Sequence, residues 1–158
     1  MTDSSPTIPF FVPCGHDRFE AQRGLGITRL NFKVSSADTS GRLFLIEQTM
    51  LAKGGPARHL HFEQDEWFYP LEGPFIIEVG DHRFTLSPGD SILAPRGVPH
   101  VWAYVGDQPG RILIGFTPAG KMEDFFNETT KANAMPPQHP DLWRNHGMEL
   151  IGPPLSFD

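Results

Sequence analysis

Two short stretches hold residues whose types and spacing can do chemistry. Residues 54–73 read GGPARHLHFEQDEWFYPLEG and carry His59, His61 and Glu66 within eight residues. On a β-strand, side chains at i and i+2 leave the same face, so both imidazoles can enter one cavity. Two imidazoles and a carboxylate suit a divalent transition metal. Residues 89–104, GDSILAPRGVPHVWAY, supply His100 just after Pro95 and Gly97. That Pro–Gly pair predicts a sharp turn with His100 on the strand that follows. A strand set opposite the first would bring His100 to the other side of His59, His61 and Glu66. The resulting set leaves positions for water or substrate on an ion that takes five or six ligands. Fe, Mn, Ni, Co, Zn and Cu all accept such donors, and the spacing does not choose among them.

Other residues are weighed against this set. Asp65 is the ligand instead of Glu66 if the intervening loop is one residue shorter, because neighbours on a strand face opposite ways. His16, His82, His139 and His146 fit no metal spacing and are expected to be structural or solvent-facing. Trp102 and Tyr104 share the face of His100. Trp102 reads as core or cavity wall, and Tyr104 offers a hydroxyl that can bond a ligand or donate a proton. Phe68 shares the face of Glu66 and reads as apolar wall. Gln48 shares a face with Phe44, Ile46 and Met50, which puts it at a sheet edge or in a polar pocket. Phe116 is a further candidate for the cavity lining.

Alternating apolar and polar residues predict strands over 27–34, 42–51, 59–62, 66–71, 74–79, 82–86, 91–94, 98–105 and 111–117. Gly- and Pro-rich turns separate them. Residues 1–26 read as an irregular arm with a short extended piece over 8–12, either packed across the barrel or a partner, or frayed. Over 121–134 the period changes, with Met122, Phe125, Phe126 and Thr129 spaced for one helical face. Phe125 and Phe126 are expected to pack on the barrel. Beyond Pro136 and Pro137 the chain reads as a possible turn near 143–147 and a Pro-rich tail. The expected domains are therefore an arm (1–26), a β-barrel (27–118), and a C-terminal helix and tail (119–158).

Composition narrows the function classes. The 158 residues suit one domain, with 16 Gly and 16 Pro spread as punctuation between short strands. The formal net charge is −6 and no Lys/Arg run occurs, which argues against a nucleic-acid partner. A single cysteine excludes an intrachain disulfide framework and fits a reducing cytoplasm. No secretory signal and no long apolar run is present, so no membrane partner is expected.

The two stretches together resemble the cupin superfamily. Its first motif, Gly then His-x-His, Glu and Gly, is matched at His59, His61, Glu66 and Gly73. Gly54 lies one residue nearer the first His than the pattern has it. Its second motif is matched at Gly89, Pro95, Gly97 and His100, while Tyr104 stands where the family usually has Asn. The resemblance covers roughly residues 27–118. It implies an all-β, double-stranded β-helix (jelly-roll) barrel with one metal bound by His59, His61, Glu66 and His100.

The run DEWFYPLEGPFIIEVGD and the later FTPAG look like single-domain quercetin dioxygenase-like cupins. That likeness implies a metal-dependent dioxygenase acting on a small aromatic or enolic compound. In it Glu66 is ligand and, once off the metal, general base. Tyr104 is a second candidate catalytic residue, and Gln48, Phe68, Trp102 and Phe116 are candidate substrate contacts. Cupins of this type also include isomerases, cyclases and lyases that use the metal as a Lewis acid. A non-enzymatic small-molecule binding module is a third reading. A homodimer is expected, since such barrels commonly exchange N-terminal strands or pair sheets.

Overall fold

Alternation of inward and outward side chains along most strands, clearest in Thr28–Val34, Ala57–His61, Asp65–Glu72 and Phe75–Val79, builds two facing sheets. A computed structural model describes residues 8–157 of the chain. Its strands are β1 (Arg23–Gly24), β2 (Thr28–Val34), β3 (Phe44–Met50), β4 (Ala57–His61), β5 (Asp65–Glu72) and β6 (Phe75–Val79). They continue with β7 (His82–Leu86), β8 (Ile92–Ala94), β9 (His100–Tyr104), β10 (Gly110–Thr117) and β11 (Met148–Pro154). The first sheet runs β1-β2-β3-β10-β5-β8 and the second β11-β4-β9-β6-β7. Every named pairing is antiparallel. The expected jelly-roll barrel is therefore the observed fold.

The pleat sends every second side chain inward. Phe32, Phe44, Ile46, Phe68, Phe75, Ile77, Ile112, Ile114 and Phe116 are all buried between the sheets. Phe32 meets Phe44 edge-on at 4.9 Å, and Phe44 stacks on Phe116 at 5.9 Å. Burying each such ring stabilises the fold by about 2 kcal/mol. On the outer side of β3, Glu47 is also buried, where Arg111 pairs with it at 3.4 Å and with Glu72 at 3.1 Å.

The arm is latched to the barrel. The buried Asp17 carboxylate accepts from the backbone N–H of Phe19, Ala21 and Phe32 at 2.8, 3.3 and 2.8 Å, and from Arg23 at 2.9 Å. Residues 8–12 form no strand; the first residues of the expected arm, 1–7, lie outside the described residues.

The C-terminal region departs most from expectation. Helix α1 (Met122–Thr129) buries the four residues predicted for its inner face. It is shorter than 121–134 because the chain tightens into a 3-10 turn over Thr130–Ala132 and Asn133 is left-handed. A second helix, α2 (Pro140–Arg144), follows. The segment read as a Pro-rich tail is largely β11, paired with β4. An edge strand tolerates Pro153 and Pro154, because a missing N–H costs nothing on the unpaired side. No helix among the described residues is long and apolar enough to cross a membrane.

Candidate metal centre

The two sheets each contribute to one cluster. His59 and His61 come from β4 and His100 from β9, with His59 and His100 directly opposite in register. Glu66 reaches in from β5 of the other sheet, where it stands opposite Phe116 and Ala94. All four residues are buried, and one ligand atom from each lies within 4.8 Å of the others. Glu66 Oε2 is 2.7 Å from His100 Nε2 and 2.9 Å from His61 Nε2.

Local contacts aim these side chains. The Pro95–Gly97 turn closes through Val98 N–H to the Pro95 carbonyl at 3.2 Å, with Gly97 at φ +76°. Gly97 N–H also donates to the His61 carbonyl at 2.7 Å, tying the second motif to the first. Asp65 faces out and grips Arg96 through both side-chain nitrogens at 3.1 Å and its backbone N–H at 2.9 Å. Strand alternation thus turns Asp65 away from the cluster and Glu66 into it.

The electrostatics fit a bound cation. His59 Nδ1 lies 2.7 Å from the Ala57 carbonyl and His100 Nδ1 3.4 Å from the Val98 carbonyl. A proton held on Nδ1 leaves the His59 Nε2 lone pair for the cluster, while His100 Nε2 meets Glu66 Oε2 at 2.7 Å. Burial, with His100 and His61 beside it, pushes the His59 imidazole down to about 3. Burial alone would raise Glu66, but His100 and His61 outweigh it and hold the carboxyl well below the usual range. Neither nitrogen of the buried His61 has a hydrogen-bond partner, although Nε2 approaches Glu66 without bonding geometry. An ionised buried carboxylate beside a neutral His59 and an orphaned His61 ring is costly unless a cation joins them. The four residues therefore fit a divalent metal, whose identity the donors leave open.

Beside the cluster lies an apolar cavity between the two sheets and the C-terminal region. His59 and Glu66 open onto it, as do Gln48, Trp102 and Phe116. Three of the four expected substrate contacts are thus brought together. Phe68 is not among the lining and sits behind it, edge-on to His100 at 6.0 Å and to Trp102 at 6.3 Å.

Tyr104 is placed differently from expectation. Its ring packs on Phe75 at 5.2 Å and its hydroxyl donates to the Gln108 carbonyl, so it does not line the cavity. It faces inward as the pleat requires, but one end of the strand beyond the metal cluster. The C-terminal region supplies what sequence reasoning missed: Met122, Phe125, Phe126, Met135, Trp143 and Met148 close the cavity. Phe125 and Phe126 therefore both pack on the barrel and wall the cavity. Trp143 lies 5.1 Å from the His59 ring; an isolated Trp in a Pro-rich segment was its one signal.

A jelly-roll barrel holding three imidazoles and a carboxylate between its sheets defines the class to which this chain conforms. Residues 46–116 match the family described as Cupin domain. KdgF from a Halomonas species superposes with a TM-score of 0.59 at 21% identity, over 71% of this chain and 94% of that one. The polyketide cyclase RemF from Streptomyces resistomycificus gives a TM-score of 0.50 at 28% identity, over 60% and 69%. Fold and family match together support placement in the cupin superfamily.

Among curated proteins, an uncharacterised protein of Methanocaldococcus jannaschii is 32% identical over 66 residues, 42% of this chain. Human 3-hydroxyanthranilate 3,4-dioxygenase is 33% identical over 57 residues, 35% of this chain. The chain spans 53% of the length of the first and 20% of the second.

Proposed function

We propose that this chain is a metal-dependent oxidoreductase of the quercetin dioxygenase-like kind, acting on a small aromatic or enolic compound. The observation that carries the reading is the convergence of His59, His61, Glu66 and His100 beside an aromatic-walled cavity. The stretch of likeness to a dioxygenase supports it. A bound divalent metal supplies Lewis acidity and, if redox-active, an electron path between substrate and O2.

The chain's own groups do the rest. Glu66, held ionised, offsets part of the cation's charge, and its low proton affinity suits a ligand better than a base. His59 presents Nε2 because the Ala57 carbonyl occupies Nδ1, and His100 turns Nε2 to the Glu66 carboxylate at 2.7 Å. Trp102 and Phe116 hold a ring and, with Trp143, exclude water. Tyr104 has no part in this scheme, since its hydroxyl is engaged elsewhere.

A second reading is a non-oxidative cyclase or lyase using the metal as Lewis acid; the likeness to a polyketide cyclase favours it. Metal analysis with oxygen-uptake assays on phenols and enols separates the two. Turnover under strict anaerobiosis rejects the dioxygenase. His59→Ala with His61→Ala should abolish metal binding and turnover, and unchanged metal content would overturn the site. A homodimer is proposed as well, supported by stacked Trp67 and Tyr69 beside half-exposed Leu93 on the outer sheet face. Sedimentation at monomer mass would reject it.

A further inference from the structure

The cavity has a charge pattern as well as a shape. Among the described residues that line it, His59 and Glu66 are the only ionisable ones, and no Lys or Arg is present. A carboxylate or phosphate on a ligand would find no cation there except at the metal cluster. Away from that cluster, its desolvation would go uncompensated.

One polar side chain stands out among the apolar walls. Gln48 is 5% exposed and lines the cavity from β3. Its amide has one side-chain contact, the Thr28 hydroxyl at 3.4 Å. That hydroxyl has one proton and two nearer acceptors, the Thr49 carbonyl at 3.1 Å and the Arg29 carbonyl at 3.3 Å. Whichever way the amide is turned, at least one N–H of Gln48 has no partner among the described residues. An amide N–H that faces an apolar cavity with no acceptor beside it marks a place for a ligand's acceptor.

Register sets where that donor sits. Gln48 stands opposite Ile112 on β10, whereas Glu66 stands opposite Phe116. Four residues along a strand is about 13 Å, so Gln48 and Glu66 occupy different ends of the cavity. Between those ends the walls are largely aromatic, with Trp102, Phe116, Phe125, Phe126 and Trp143 among them, which suits a ring.

We infer that the cavity takes an uncharged, ring-containing ligand whose hydrogen-bond acceptor, remote from the metal end, is received by the Gln48 amide. Gln48 is then a specificity-determining residue. The inference rests on the reading that this cavity is the substrate site.

Three naphthols test it by titration calorimetry, on protein stripped with chelator and on protein reloaded with Fe(II) or Mn(II) under argon. They are 2-naphthol, 6-acetyl-2-naphthol (neutral, with a distal acceptor) and 6-hydroxy-2-naphthoate (the same skeleton with a carboxylate). The acetyl compound should bind about tenfold tighter than 2-naphthol, and the carboxylate weakest. Gln48→Leu should remove that tenfold gain and leave 2-naphthol within about twofold. If Gln48→Leu does not fold, Gln48→Met, close in volume, must show the same selective loss. Equal binding of carboxylate and ketone, equal weakening of both neutral naphthols, or no binding of any probe overturns the inference. Metal-independent binding of all three, with the acetyl gain intact, counts against the proposed metal chemistry and leaves the role of Gln48 standing.

Discussion

Asp65 and Arg96 clasp each other outside the barrel, one residue from Glu66 and four from His100. Both guanidinium contacts are 3.1 Å, and the backbone N–H of Arg96 adds a third at 2.9 Å. The Arg96 guanidinium holds the Asp65 carboxyl below its usual range. This pair joins the start of β5 to the turn that aims His100, so it fixes the spacing between ligands from opposite sheets.

Removing one side of the clasp should therefore affect metal before it affects folding. Asp65→Asn is expected to weaken metal affinity by about tenfold, in line with other partners that orient ligands. The unfolding midpoint should barely move, because the pair is largely solvent-exposed. Competitive metal titration and thermal melts measure both. Unaltered metal affinity would mean that the Gly97 and Val98 backbone bonds position His100 without help.

How much of this was legible beforehand follows from the range of each interaction. His59, His61 and Glu66 could be read because pleat alternation is local, and His100 because Pro95 and Gly97 mark its turn. Gln48 was legible as a polar residue on an apolar face, though not as the donor left open. Tyr104 misled because period two fixes the face but not what lies at that level; the 105–109 loop returns and engages its hydroxyl. The cap and β11 were hidden because Pro and Gly argue against a strand, and only a distant partner, β4, makes one there.

Trp143 turns that hidden segment into a stability prediction. Its ring sits 5.1 Å from His59 and 5.1 Å from Phe125, and its indole N–H donates to the Pro137 carbonyl at 2.8 Å. Trp143→Ala should cost about 3–5 kcal/mol and open the cavity to water. Trp143→Phe should recover most of that while leaving the Pro137 carbonyl without its donor. Chemical denaturation of both variants checks the order, and an unchanged midpoint for Trp143→Ala would show the cap to be dispensable.

Asp17 gives the acid limb of stability. Burial alone would raise its pKa, but Arg23 and the backbone N–H groups of Phe32, Phe19 and Ala21 outweigh it and hold it below 3.8. A carboxyl that is more acidic when folded binds fewer protons than in the unfolded chain. Its stabilisation is full above the unfolded value of 3.8 and declines as pH falls through the lower folded value. Asp17→Asn should flatten the pH dependence of stability in that acid window. Asp17→Ala should cost about 3 kcal/mol near neutrality by removing the acceptor of the Arg23 Nε–H and of the Phe19, Ala21 and Phe32 backbone N–H groups. Denaturant melts across the acid range test this. The same acid slope in Asp17→Asn as in the native chain would mean that other carboxylates, and not the latch, set acid stability.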